Sequence, residues 1–313
     1  MKVLITGGKG VIGTNLTAKL EKDGHEVHVF DRVRLDYENY HRGDICDYFR
    51  LGDVFEEVKP DLVFHLAGMV SRLECEETPE LAIRTNVSGT LNVCKFCQKY
   101  DSRLIYAGSS EEYGTAFDRG ELVTEETPLG NPTSFYSMTK RMSDEVIQYL
   151  ANFNNLKAIT MRLFMLYGPG EYPSKYRSAV IRFMDAALRG EDLIVHAGTE
   201  RSWCYILDAV DAMSLLAERE MKTKYEVFNI GRNDPIPTPE LAKKIVELTG
   251  SHSNIVTVDP IKTIIPVKRA SFEKIKRDVG WEAKTDIDTG LKETLTWLQS
   301  SKSEVSEQWM SFD

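Results

Sequence analysis

A doubly wound α/β fold, with a parallel sheet covered by helices on both faces, is the class this sequence predicts. Three features predict it: short apolar runs alternate with helical patterns, a glycine-rich turn joins the first run to the first helix, and a carboxylate closes the second run. Such alternation builds right-handed β-α-β units whose crossover helices bury a parallel sheet. The runs are KVLIT (2–6), EVHVF (26–30), DLVFHLA (61–67), RLIYA (103–107) and AITMRLF (158–164), each but the last leading into a helical pattern. After Phe164 the rhythm breaks at a loop holding Gly168, Pro169, Gly170 and Pro173. Helices are then expected near 178–189, 208–219, 238–249 and 271–278, and EVFNIG (226–231) again reads as a sheet strand. These later pieces interleave, so they predict a second, smaller lobe made of discontinuous segments.

A net charge of −9 over 313 residues leaves no basic footprint for nucleic acid or an anionic membrane. Met1-Lys2 runs directly into VLITGG without a signal-peptide pattern, and no run is long enough to span a bilayer, so a soluble, cytoplasmic protein is expected. Cys94 and Cys97 make one C-x-x-C inside a helical pattern, with no second pair or nearby histidine. We expect packing thiols there and no metal site.

TGGKGVIG (6–13) follows the first strand and opens a helix. Gly8-x-Gly10-x-x-Gly13 fits the dinucleotide fingerprint, and Gly7, Gly10 and Gly13 also give a G-x-x-G-x-x-G spacing. Side chains are absent because the backbone must turn tightly and approach a pyrophosphate, whose charge is stabilised by amides at a helix N-terminus. Asp31 lies 18 residues beyond Gly13. A carboxylate there accepts hydrogen bonds from ribose hydroxyls and repels a 2′-phosphate, favouring NAD over NADP. The neighbouring Arg32 could instead stack on adenine or tolerate a phosphate.

GSSEEYG (108–114) ends the RLIYA run, and Tyr136-x-x-x-Lys140 follows in FYSMTK. With GDI (43–45), HLAG (65–68), Asn86 before Gly89-Thr90, RLFMLYGPG (162–170), RSWCYILD (201–208) and VGW (279–281), the chain resembles the extended short-chain dehydrogenase/reductases. Within them it is similar to the NAD-dependent nucleotide-sugar epimerase/dehydratase family. The resemblance implies an NAD-binding Rossmann domain over 1–164, with 206–231 returning to it, and a substrate-binding lobe from 165–205 and 232–300. Residues 301–313 are expected to be a polar tail, with Trp309 as an anchor. Implied cofactor contacts come from Gly7, Gly10, Val11, Ile12 and Gly13 in the turn, and from Asp31, Arg32, Asp44 and Ile45 further on. Leu66, Ala67, Gly68, Tyr136 and Lys140 complete that set. A homodimer is implied too, pairing the helix of Tyr136 with another near 80–99; Val87, Leu91, Val146 and Leu150 suit that interface or an internal core equally.

Tyr136 and Lys140, four apart on a helix, project from one face. A free phenol titrates near 10; an adjacent ammonium and a positive nicotinamide both favour the phenolate, making Tyr136 a general base for a sugar hydroxyl. Lys140 would also hold the nicotinamide ribose, and Ser109, at a strand's carboxyl end, would hydrogen-bond the same hydroxyl. Glu111 is the informative extra. SSEEYG is similar to the Thr-Ser-Glu-x-Tyr-Gly of GDP-mannose 4,6-dehydratases and UDP-glucuronate decarboxylases. A carboxylate there could take the C5 proton that a 4-keto group acidifies, a step worth about 10² to 10⁴ in rate; the alternative is a solvated turn residue or one that only orients substrate. Glu112 reads as structural.

Ser110 and Arg201 are expected to touch the sugar nucleotide, Arg201 as a planar fork on its diphosphate, with Arg269 a second candidate whose alternative is a surface salt bridge. His65 reads as packed near the cofactor and Asn86 as serving local backbone bonds. Where relatives carry R-x-F-N-x-Y-G-P, this chain has Met165, and a thioether cannot donate the asparagine's bond. The leading expectation is a nucleotide-sugar 4-epimerase; the alternative is a 4,6-dehydratase or uronate decarboxylase using Glu111. A keto-sugar reductase and a non-catalytic NAD-binding scaffold are the remaining classes.

Overall fold

The computed structural model describes residues 1–260 and 264–308, with side chains through 301. The predicted runs become strands: β1 (Lys2–Thr6), β2 (Glu26–Asp31), β3 (Tyr40–Arg42), β4 (Leu62–His65), β5 (Arg103–Ser109) and β6 (Ala158–Leu163). β7 (Leu166–Tyr167), β8 (Leu193–His196), β9 (Glu200–Ser202) and β10 (Cys204–Tyr205) lie outside the main sheet, and β11 (Tyr225–Ile230) returns to it. Among the described residues these form a seven-stranded sheet in the order β11-β6-β5-β4-β1-β2-β3, with every pair parallel.

Alternate strand residues point to opposite faces, so one strand serves two cores. Val3, Ile5, Phe64 and Ile105 enter one cluster; Leu4, Val63, Leu104 and Tyr106 enter the other. Both faces therefore need helices. α1 (Val11–Lys22) follows β1, and α2 (Tyr48–Val58) follows β3. After β4, α3 (Arg72–Glu77) and α4 (Pro79–Ala82) lead through a π-helical stretch, Ile83–Gly89, into α5 (Thr90–Tyr100). β5 runs into a tight helical segment, Ser110–Arg119, and then α6 (Phe135–Asn154), which Ser134 caps by accepting the Ser137 amide. α7 (Ala179–Arg189) precedes the small strands, and α8 (Ile206–Glu218) packs beside α1 on the sheet.

Beyond the sheet, β7 pairs β10, β9 pairs β12 (Pro235–Pro237) and β8 pairs β13 (Ile255–Val258). α7 joins α9 (Thr238–Thr249) around Val180, Met184, Leu241 and Ile245, and Leu291, Leu295 and Leu298 of the last helix close the same cluster. α10 (Glu273–Val279) packs against the main sheet through Ile275, and α11 (Ile287–Gln308) ends the described chain. From 301 the helix continues to Gln308, through lysine, glutamate and glutamine, all good helix formers. Trp309 lies outside the described residues. Cys94 and Cys97 are fully buried in α5, where burial pushes both thiols up, consistent with packing residues.

Phe64 sits at the centre of β4 with no exposure. Phe64→Ala is expected to lower stability by about 3–5 kcal/mol, the range for an aromatic-sized cavity, as measured by urea unfolding followed by circular dichroism.

Candidate active site

The first strand's exit is built for close approach. Gly7 has φ +72°, and a Cβ on it would lie 2.6 Å from the Ala67 amide nitrogen; one on Gly13 would lie 2.4 Å from the Gly7 carbonyl. The turn and the first turn of α1 are thus packed backbone to backbone. Gly10 caps α1 without a side chain, leaving the helix's first amides for an anionic group. At the end of β2, Asp31 accepts from the Lys9 amide at 2.9 Å and the Val33 amide at 3.2 Å, which holds its carboxylate beside the cradle. Glycines where a Cβ would collide and an acid at the neighbouring strand end fit a dinucleotide's pyrophosphate and ribose.

A single cleft of about 970 Å³ runs across the carboxyl ends of the strands, where open α/β sheets bind ligands. Its walls contain Gly7, Gly10, Val11, Ile12, Gly13, Asp31 and Arg32, then Asp44, Ile45, Leu66, Ala67 and Gly68. Ser109, Ser110, Glu111, Tyr136 and Lys140 line the same space. So the two sets of candidates, far apart in sequence, converge.

Ser109 is the last residue of β5, and its hydroxyl lies close enough to the Tyr136 phenol to favour the phenolate. Lys140 Nζ donates to the Ala107 carbonyl at 2.8 Å and lies 4.8 Å from the centre of the Tyr106 ring. Burial pulls the Lys140 ammonium down to about 8. Burial also pushes the Tyr136 phenol up; the Ser109 hydroxyl opposes this, while Glu111 and Glu112 add to it. Without the cofactor, burial outweighs the neighbouring groups, and the protein alone keeps the phenol protonated at neutral pH. A positive charge arriving with oxidised cofactor acts in the missing direction.

Glu111 is no solvated turn residue. It is buried, with Oε1 2.5 Å from Lys268 Nζ and 4.0 Å from Arg72 Nη1, and its Oε2 makes no hydrogen bond. Burial alone would raise its carboxyl; Lys268 and then Arg72 outweigh that and hold it ionised. Lys268 escaped the sequence reading, which chose its neighbour. The extended segment alternates, sending Lys268 inward and Arg269 outward, where the latter pairs with Glu200 at 3.3 Å. Arg269 is thus outside the cleft. Arg201 is buried, but its guanidinium donates to the carbonyls of Glu200, Ile265 and Pro266, and it stands behind the cleft wall, close enough to Glu111 to favour its charge. The positive side chains facing the cleft from the later segments are instead Lys175, Arg177 and Arg182, which flank the N-terminus of α7.

His65 is sandwiched between the Thr6 hydroxyl at 2.7 Å and the Thr90 hydroxyl at 2.9 Å, and burial pushes it down to about 3, so it is a neutral packing residue. Asn86 bonds both backbone groups of Met69 and the Thr139 hydroxyl, as its local role requires. Met165 lines the cleft with φ +32°, a left-handed conformation uncommon outside glycine and asparagine.

Over residues 3–231 the chain matches the family model described as the NAD dependent epimerase/dehydratase family. The chain belongs to that family. It is an NAD-dependent enzyme of nucleotide-sugar chemistry, with a Rossmann-type sheet. A UDP-N-acetyl-alpha-D-glucosaminuronate decarboxylase of Bacillus cytotoxicus is 31% identical over 320 residues, covering 95% of this chain and 98% of the relative. Among solved structures, a UDP-glucose 4-epimerase of Thermotoga maritima with UDP-glucose superposes with a TM-score of 0.88 at 27% identity, over 96% of this chain and all of that one. MoeE5 in complex with UDP-glucuronic acid and NAD gives 0.87 at 26%, with the same coverage. Among the described residues, no helix of this family member is long and apolar enough to cross a membrane, and no cluster of acidic, histidine or cysteine side chains could hold a metal.

Gly13→Ala drives a methyl into the Gly7 carbonyl. We expect at least a tenfold loss of NAD affinity, an order-of-magnitude figure for about 1.4 kcal/mol of lost contact, measured by titration calorimetry; unchanged affinity would show that the cradle is not where the pyrophosphate lies.

Proposed function

We propose that the enzyme decarboxylates a nucleotide-linked uronate through a transient 4-keto sugar, and the observation that carries this is the charge around Glu111. Lys268, Arg72 and Arg201 surround one carboxylate, and that carboxylate keeps an oxygen free. The surplus positive charge suits a second carboxylate, such as C6 of a uronic acid. Bound NAD would accept the C4 hydrogen with its electron pair and later return it. Tyr136, steadied by Ser109, takes the C4 hydroxyl proton; Lys140 holds the ribose beside it. With C4 oxidised, the C5–C6 bond breaks, carbon dioxide leaves, and its electron pair passes into the C4 enolate. A proton then reaches C5 from Lys268, which burial holds near 8, by way of Glu111. In this division of labour, residues 1–164 with 206–231 hold the cofactor, and 165–205 with 232–300 hold the sugar nucleotide. A 4-epimerase would need Ser109, Tyr136 and Lys140 alone; the likeness to the Thermotoga enzyme favours that second reading, and the buried Glu111 weighs against it.

We further propose a cytoplasmic homodimer joined through α6 and the 80–99 segment. Tyr149 and Phe153 of α6, 59% and 73% exposed and in ring contact, support this, since such an aromatic pair is costly to leave in water. Tyr149→Lys with Phe153→Glu is expected to shift the protein to a monomer in light scattering; an unchanged mass would place the interface elsewhere.

The function is tested by incubating the protein with UDP-glucuronate and UDP-N-acetylglucosaminuronate without reductant. Loss of carbon dioxide with no net NADH supports the proposal. A product of unchanged mass, inverted at C4, would establish epimerisation instead, and turnover only after NADH is added, with one NADH consumed per product, a reductase. Tyr136→Phe should abolish turnover while nucleotide binding persists, and Glu111→Gln should cut kcat by about 10² to 10⁴.

A further inference from the structure

Directly behind Ser109 lies a second buried acid that the mechanism above does not use. Glu112 has no exposure; its Oε1 accepts the Ser109 amide at 2.7 Å and its Oε2 accepts Arg162 Nε at 3.1 Å. A Cβ at position 108 would stand 2.6 Å from that Oε1, so Gly108 is what lets the carboxylate fold back onto the strand. Arg162 also donates to Asp144 at 3.2 Å, and Asp144 accepts the hydroxyls of Thr160 and Tyr225. On the neighbouring residue pair, Lys140 donates to the Ala107 carbonyl. The tip of β5, residues 107–109, is thus gripped by an ammonium at one end and a carboxyl at the other.

We infer that Glu112 is a positioning residue for the sugar oxidation: its carboxyl fixes the Ser109 backbone, and so the hydroxyl beside Tyr136. Burial and then Asp144 push the Glu112 carboxyl up to about 8, with Arg162 and the Ser109 amide opposing them. What fixes Ser109 is the bond from its amide to Oε1, which the carboxyl can accept in either charge state, together with the Arg162 contact that holds Oε2. The inference concerns the oxidation step and stands whichever fate the keto sugar meets.

Glu112→Asp shortens the reach to the Ser109 amide; kcat should fall about tenfold to a hundredfold through misplacement of Ser109, with KM unchanged. Glu112→Gln keeps the side-chain length and an oxygen for the amide, and should restore most of what Glu112→Asp loses. Both are measured on whichever sugar nucleotide the enzyme turns over, with circular dichroism as the check on folding. A folded Glu112→Asp variant that keeps full kcat would overturn the inference. So, independently, would a folded Glu112→Gln variant that loses as much kcat as Glu112→Asp.

Discussion

The hydrogen bond from Lys140 to the Ala107 carbonyl ties α6 to the tip of β5, and the arrangement of the site depends on it. It fixes where the helix lies relative to the strand, and therefore the distance between the Tyr136 phenol and the Ser109 hydroxyl. Ser134 pins the start of the same helix, just before Lys140, by accepting the Ser137 amide. An ammonium is an expensive means to that end, since a buried ion loses several kcal/mol of hydration unless it is compensated. The compensation is a carbonyl, an aromatic face and a nearby carboxylate, and none of these takes the charge away.

Two buried ionic groups share the space behind the cleft wall. In one, Arg162 joins Glu112 and Asp144 beneath the strand tip; in the other, Lys268 and Arg72 meet Glu111 at the cleft. They differ in what they leave unfinished. The first is nearly closed: both oxygens of Glu112 are bonded, as are both of Asp144. The second leaves Glu111 Oε2 without a partner. An unpaired charged oxygen in a buried place is destabilising by about 1–3 kcal/mol or more, which a fold tolerates where a ligand completes the set. The closed group braces the strand tip, and the open oxygen belongs to a residue that lines the cleft.

The sheet was legible because its signals are local: period-two apolar runs, a glycine turn and a strand-end acid need no knowledge of distant contacts. Ser109, Tyr136, Lys140 and Glu111 were legible for the same reason, each lying in a short pattern at a strand or helix end. Lys268 was not. Its meaning comes from Glu111, 157 positions away, and only the alternation of the extended segment separates it from exposed Arg269. The rise in the Tyr136 phenol was equally hidden, because sequence shows that Lys140 is near but not how completely the phenol is buried. The helical form of the segment past residue 301 was not legible, because polar composition alone does not distinguish an irregular segment from a helix of good helix formers.

Met165 shows how the same fold accommodates a departure. A left-handed methionine is strained by about 1–3 kcal/mol, and it persists because both flanks are pinned: the Phe164 amide donates to the Ile230 carbonyl at 2.9 Å, and the Met165 carbonyl accepts from Cys204 at 3.1 Å. Those bonds hold β11 on one side and β10 on the other, so the kink lies where the chain leaves the main sheet for the small strands. The backbone conformation is therefore imposed by topology, and the side chain is what remains free to vary. In this chain the variable side chain is apolar, so polar recognition in the cleft falls to Ser109, Ser110 and Glu111 on one side and to the cations flanking α7 on the other.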